Sequence, residues 1–270
     1  MAAAYYPVQT VNIGGGLVKN AQSCSVDFNQ AKQPVYAFGQ LLAKGTFTAQ
    51  LPSISLSATA AIIEGMPFTL KFDDAELKKT SGNTASVDTG GGKFTFTNCY
   101  LQSVGGNASV GQIATANQAV VATSMTYSIA APTAAPTIGG NQLDISKFSP
   151  GLIKISSVGA AKSFSFSATI DREPVLPLGA DPTDSAKMQT IDWIIKGLKA
   201  KAEAEVFIAT NVIAPGLNKE SELVATVNNF KMGYKGFVNT VKTSLGTDGV
   251  ATVSVGIDED ILKVANVTFA

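Results

Sequence analysis

The sequence predicts a mainly-β fold, two tandem sandwich or barrel domains with one or two helices, and three observations carry that prediction. Apolar and small polar residues alternate with a period of two between turn residues along most of the chain, as half-buried strands require. The 270 residues exceed the size at which a single core stays comfortable, so two domains are expected. Third, Ser163 to Gly179 reads as a degraded copy of Ser23 to Gly39, at a constant offset of 140 residues and without a gap.

In that repeat SCSVDFNQAKQPVYAFG stands against SFSFSATIDREPVLPLG. Ser23/Ser163, Ser25/Ser165, Pro34/Pro174, Val35/Val175 and Gly39/Gly179 are identical, while Lys32/Arg172, Gln33/Glu173, Val26/Phe166 and Phe38/Leu178 keep their physical character. A weaker echo follows in each half. Phe94 to Ser103 (FTFTNCYLQS) resembles Val224 to Gly233 (VATVNNFKMG), and Val121-Ala122-Thr123 recurs as Val250-Ala251-Thr252. Chance similarity between Ser/Val-rich strands is the competing reading, and the ordered recurrence of three blocks weighs against it. The expected division is residues 1–130 as the first domain, 131–150 as a linker and 151–270 as the second domain.

Along the first half, Cys24, Val26 and Phe28 share one strand face, Ile54, Leu56, Ala58 and Ala60 a second, Phe68, Leu70 and Phe72 a third, and Phe94 and Phe96 a fourth. Burying one large side chain of this kind is worth about 1.5–3 kcal/mol, so one face per strand can hold a sandwich or barrel together. Lys78 to Lys93 (KKTSGNTASVDTGGGK) is polar and glycine-rich and reads as a long loop, and the matching connection around Ala214 to Glu220 as a short one. Ala130 to Gln142 (AAPTAAPTIGGNQ) cannot sustain a helix and offers little to a core, which places the linker there. In the second half Asp181 to Gly197 is the main helix candidate: Asp181 or Thr183 as cap, Pro182 in the first turn, and Met188, Ile191, Ile194, Ile195 and Leu198 as an apolar stripe. Leu198 to Ile208 alternates strictly and reads as a strand with Lys199, Lys201, Glu203 and Glu205 on its wet face, a continuing helix being the competitor.

Composition narrows the function. Lys+Arg and Asp+Glu both number 20, so no global basic field drives duplex binding. Charged residues at 15% fall below the ~25% usual for soluble domains, which suits a protein that hides surface in an assembly. From Phe94 to Leu143 there is no charge at all. Interleaved Ser, Thr, Asn and Gln, with Pro132 and Pro136, exclude a membrane span there. Such undefended strands either pair with another subunit or are internal to the first domain. The N-terminus has no basic or apolar segment of a secretory signal, so cytoplasmic synthesis and reduced Cys24 and Cys99 are expected.

The chemistry of catalysis is missing. Without histidine there is no Ser-His-Asp or Cys-His arrangement and no His-containing metal site. Asp73-Asp74, Asp258-Glu259-Asp260 and Glu203/Glu205 read as solvated acidic patches. Gly14-Gly15-Gly16 and Gly90-Gly91-Gly92-Lys93 do not fit a phosphate-binding loop, and the second runs into a strand rather than a helix. No catalytic residue, cofactor or metal is expected.

The order of alternating strand, charged turn and closing glycine (Ser23 to Gly39), a strand opened by Leu51-Pro52 and running to Ala60, an Asn-centred strand (Phe94 to Ser103) and a final Val/Thr strand (Val120 to Ile129) resembles the tail-tube type of virion protein in long-tailed bacteriophages. The second half resembles it less well, with Gly197-Leu198 in place of Leu-Pro and an extra helical segment before it. The resemblance implies barrel-like sandwiches whose inner sheets join into a closed ring of six domains, stacked into a tube that conducts the genome, or a hub or neck adaptor of the same fold. It implies self-association, as a trimer with a pseudo-sixfold ring or as a hexamer. Other tail proteins such as sheath, terminator or baseplate would be partners, DNA only passing cargo, and the virion the location, with no membrane. Lys78, Lys79, Asn83, Asp88 and Lys93 then become candidates for contacts between rings, in a loop dispensable for folding. Phe94, Phe96, Tyr100, Val121, Thr123, Met125 and Tyr127 become candidates for the subunit interface. A carbohydrate- or surface-binding module is the alternative, weakened by scattered aromatics.

Overall fold

The computed structural model describes residues 8–29, 32–36, 43–48, 53–63, 65–129, 153–155, 159–175, 192–207, 218–245, 251–260 and 263–270. The first half carries β1 (Val8–Ile13), β2 (Gly16–Leu17), β3 (Ala21–Asn29), β4 (Lys32–Tyr36), β5 (Ala43–Thr48), β6 (Ser53–Ala61), the short helix α1 (Asp74–Leu77), β7 (Asn83–Thr89), β8 (Gly92–Ser109), β9 (Thr115–Ala122) and β10 (Ser124–Ser128). The second carries β11 (Ile153–Ile155), β12 (Gly159–Val175), β13 (Asp192–Phe207), β14 (Glu220–Val227), β15 (Phe230–Phe237), β16 (Thr240–Leu245), β17 (Ala251–Asp260), a single 3-10 turn (Val264–Asn266) and β18 (Val267–Phe269). The class is mainly β, and among the described residues every strand pairing is antiparallel.

Eight strands lie side by side in the order β3-β6-β9-β8-β12-β13-β17-β16. Alternation sets their two faces. Leu56, Ala58, Ala60, Val104, Ala108, Val120, Phe164, Phe166, Ala168, Ala202, Ala204 and Val255 are buried on one face. The other presents Ser25, Asp27, Asn107, Ser165, Ser167, Lys201, Glu203, Lys242 and Ser254 at exposed or half-buried positions. Additional strands complete the core: β1, β7 and β10 around the start of β8, and β11, β14, β15 and β18 in the second half. β8 belongs to both layers of its half. It changes layer at Asn98, whose φ of 49° marks the residue that the shift in register between β7 and β8 leaves over.

The pairing scheme of the first half recurs in the second. β3, β6, β9 and β8 are neighbours in that order, as are β12, β13, β17 and β16, so in each set the first, second, fourth and third strands lie together. Individual rungs correspond. Cys24, Ala58, Gln118 and Val104 stand opposite one another across four strands, and so do Phe164, Ala204, Val255 and Val241. β1 pairs β7, the hairpin partner of β8, as β11 pairs β14, the hairpin partner of β15. β10 on β8 is matched by β18 on β15. The 140-residue offset places Ser23 to Asn29 of β3 against Ser163 to Thr169, and Lys32 to Val35 of β4 against Arg172 to Val175, all within β12.

Several local expectations are corrected. Asp192 to Gly197, expected to close a helix, opens β13 and pairs with β12 from Val175 back to Asp171. There the β-branched Ile194 and Ile195 gain a ladder partner, which outweighs the helical spacing of the apolar stripe. Residues 181–191 of that helix, the linker at 131–150 and both closing glycines of the repeat lie outside the described residues. Lys78 to Lys93 is not a loop throughout: β7 runs inside it, with Ala85 and Val87 buried, and β14 is its counterpart in the second half. Phe68, Leu70 and Phe72 are buried in the core as expected, but their segment is irregular and bent and belongs to no described strand. The Val120 to Ile129 strand is broken at Thr123, whose N–H donates to the Thr97 carbonyl between β9 and β10.

Both weaker echoes join unlike places. Phe94 to Ser103 lies within one strand, whereas Val224 to Gly233 turns a hairpin at Asn228 and Asn229, with φ of 48° and 66°. The shared asparagine serves a bulge in one case and a two-residue turn in the other. Val121-Ala122 ends β9, whereas Ala251-Thr252 begins β17.

Candidate functional site

The eight-stranded row does not close on itself. At one end β3 pairs only β6, and at the other β16 pairs only β17, so among the described residues each has a ladder edge without a strand partner. Open edges of nine and six residues are templates for another strand, and soluble proteins usually defend them with several charges or proline. Here each edge carries one charged residue: Asp27 in AQSCSVDFN and Lys242 in TVKTSL.

The middle of the row shows what such an edge accepts. β8 pairs β12 from Ser103 opposite Thr169 to Ser109 opposite Ser163, joining the third strand of the first set to the first strand of the second. Gly105 and Gly106 allow close approach: a Cβ on Gly105 would lie 2.8 Å from the Phe166 carbonyl oxygen, and one on Gly106 2.8 Å from that of Thr115. Arg172 of β12 seals the joint, its Nε donating to the Leu101 carbonyl at 2.7 Å and its guanidinium lying 5.3 Å from the centre of the Tyr100 ring. Burial draws the Arg172 pKa below its ordinary value, opposed by nearby Glu76, Tyr100 and Asp192. Burial raises that of Tyr100, with Asp192 adding to the shift.

The two open edges are made of the same strand types as this joint. β16 holds the place of the later part of β8, and β3 that of β12. Phe28 on β3 is 56% exposed although it shares the core-facing parity of Cys24 and Val26. Phe237 is 51% exposed; it stands four residues before Val241, as the buried Tyr100 stands four before Val104. Phe28 thus lies exposed on an open edge, whereas its counterpart Ala168 is buried opposite Val104 in the intramolecular joint.

The expected interface strands fall mostly inside the chain. Phe96, Tyr100 and Val121 are buried, because β8 and β9 have partners on both sides, and Thr123 is buried at the break between β9 and β10. Phe94 and Met125 are half-buried against the core, and the Phe94 ring packs 4.7 Å from that of Tyr127, which is 51% exposed. Of the expected loop contacts, exposed Lys78 bridges Asp74 at 3.1 Å, Lys79 bonds Asn83, and Asn83 bonds Glu76. Asp88 stands opposite Lys93 in the β7-β8 hairpin. The sequence places Phe28 on a face expected to be buried, where the structure leaves it exposed, and does not single out Asp27, Phe237, Val241 or Lys242. Its alternation reads identically in an edge strand and a central one, and only the 140-residue repeat hinted that β3 should want the neighbour that β12 has.

Among the described residues no cluster of three or more Asp, Glu or Cys side chains is placed to hold a metal, and no helix is long and apolar enough to cross a membrane. The polar face of the row forms an open trough lined by Asn107, Ser165, Glu203, Glu205 and Lys242, where Lys201 meets Glu203 at 3.1 Å and Lys162 meets Glu205 at 3.5 Å. No protein-family model matches the chain, and a search of curated proteins finds no significant match.

Proposed function

We propose that this chain is a non-enzymatic virion structural protein whose rings stack as, or join onto, a phage tail tube that conducts the genome, a tail hub or neck adaptor being the nearest variant. In this reading the two sets of strands are tandem tail-tube-like domains, and the eight-stranded row is one chain's share of an inner barrel. The carrying observation is that the row ends in a β3 edge and a β16 edge that correspond to the two strands already joined in its middle. A contact that a chain makes between its own halves can be repeated between chains, and a head-to-tail contact of this kind generates a ring when the rotation closes. Closure removes both open edges at once. The face away from the core carries serines together with lysines paired to glutamates, Lys201 with Glu203 and Lys162 with Glu205, and such a charge-balanced wall suits DNA that passes without being gripped. Exposed Lys78 and its neighbours beside the β7-β8 hairpin remain candidates for contacts between rings. Negative-stain microscopy of the purified protein tests the reading: rings or tubes are expected, and monodisperse monomers at every concentration would overturn it.

A further inference from the structure

Resting on the ring-forming reading, we propose one register for the contact between chains. β16 of one chain pairs antiparallel with β3 of a second copy, placing Thr240 opposite Asn29, Val241 opposite Phe28, Lys242 opposite Asp27, Thr243 opposite Val26 and Ser244 opposite Ser25.

The register follows from the rungs. Val104 stands opposite Ala168 at the intramolecular joint, and Ala168 lies four residues after Phe164. Val241 holds the place of Val104, and Cys24 that of Phe164. The residue four after Cys24 is Phe28. Val241 therefore meets Phe28, and antiparallel counting fixes the other four pairs.

The charge and the exposure of the edge residues, neither used in finding the register, agree with it. The single charges of the two strands, Lys242 and Asp27, fall directly opposite each other on the polar face, where Gly105 and Ser167 face each other in the intramolecular joint. Phe28, left 56% exposed, is placed against Val241, which already packs on the core. Both faces keep their sense, with Val26 and Thr243 toward the core side and Ser25 and Ser244 toward the trough side. Self-pairing of like edges brings Asp27 toward Asp27 or Lys242 toward Lys242 on one short ladder, so the sequence favours the head-to-tail partner. That partner is a second copy of this chain, because a complementary strand stands at the opposite end of the same row.

Charge reversal and crosslinking test the register. Lys242→Asp and Asp27→Lys are each expected to raise the concentration for half-assembly by about tenfold at low salt, and the double exchange to restore it. In a Cys24→Ser background, Asp27→Cys with Lys242→Cys should be linked between chains by a short bifunctional thiol reagent. The pairs Asp27→Cys with Thr240→Cys and Asp27→Cys with Ser244→Cys should link far less. Circular dichroism of each variant confirms that its strands are kept. Rings that form normally but link only in one of the comparison pairs, or a double exchange without recovery, overturn the register and leave the ring reading standing. A wild-type chain that stays monomeric overturns both.

Discussion

Cys99 has no exposed surface, and burial pushes its thiol from 9.0 up to about 12. A pKa raised in the folded state gives stability that is complete below the unfolded value and lost as pH climbs toward the folded one, because only the unfolded chain releases the proton in that window. Wild type is therefore expected to lose more stability between pH 9 and 11 than Cys99→Ala, measured as denaturant midpoints across the range. Equal slopes would show that Cys99 is not the titrating group. At the joint, Gly105 answers to a different constraint. A methyl there meets the Phe166 carbonyl and the Asn117 side chain at 2.8 Å, so Gly105→Ala must push β12 away from β8. A loss of about 1–3 kcal/mol is expected from such overpacking. Calorimetry showing unchanged stability would mean that the two strands have room to separate.

At the scale of elements, the strands were legible wherever a face is buried. Cys24/Val26, Leu56/Ala58/Ala60 and Phe164/Phe166/Ala168 alternate because one side of each strand meets the core, and that pattern is written directly in residue order. What sequence could not supply was the neighbour of each strand. Asp192 to Gly197 carries helical spacing and becomes strand through its ladder with β12, a partner some twenty residues upstream. The asparagines at 98 and 228 look alike in sequence because both favour positive φ, yet one bends a strand and the other turns a hairpin. The stretch Lys78 to Lys93 was read by its glycines and lysines, while the two small apolar residues that matter, Ala85 and Val87, are a modest signal. Its structure reverses the expectation for deletion. Removing residues 78–93 takes away β7, leaves the first part of β8 without its ladder partner on that edge and frees β1 from β7, so the variant should fail to fold. Shortening only the Gly90-Gly91 turn should leave the fold intact. Native-like circular dichroism and a cooperative melt from the larger deletion would show that β7 is dispensable.

For the whole molecule, the proposed ring raises the question of how many chains would close it. Each chain contributes two sets of four strands, and the step from β8 to β12 inside a chain would be followed by the step from β16 to β3 of the next. If the two steps rotate alike, a ring of six sets closes with three chains of 27.9 kDa, 3 × 27.9 or about 84 kDa. If only one set from each chain enters the wall, six chains are needed, 6 × 27.9 or about 167 kDa. The continuity of the row across both sets favours three, because β12 cannot leave the wall without breaking the ladder from Ser103 to Ser109 that joins it to β8. The steps are not chemically identical: Gly105 and Gly106 lie at the first, Lys242 and Thr243 at the second. A threefold ring with alternating tight and looser joints is the expected result, not a true sixfold one. The charge distribution makes the alternation visible, since residues 1–140 hold 13 charged side chains and residues 141–270 hold 27. Symmetry-free averaging of end-on views should show six lobes in two alternating kinds, with light scattering giving the mass of three chains. A mass of six chains, or six identical lobes, would remove the second set from the wall and would require the β8-β12 ladder to open on assembly.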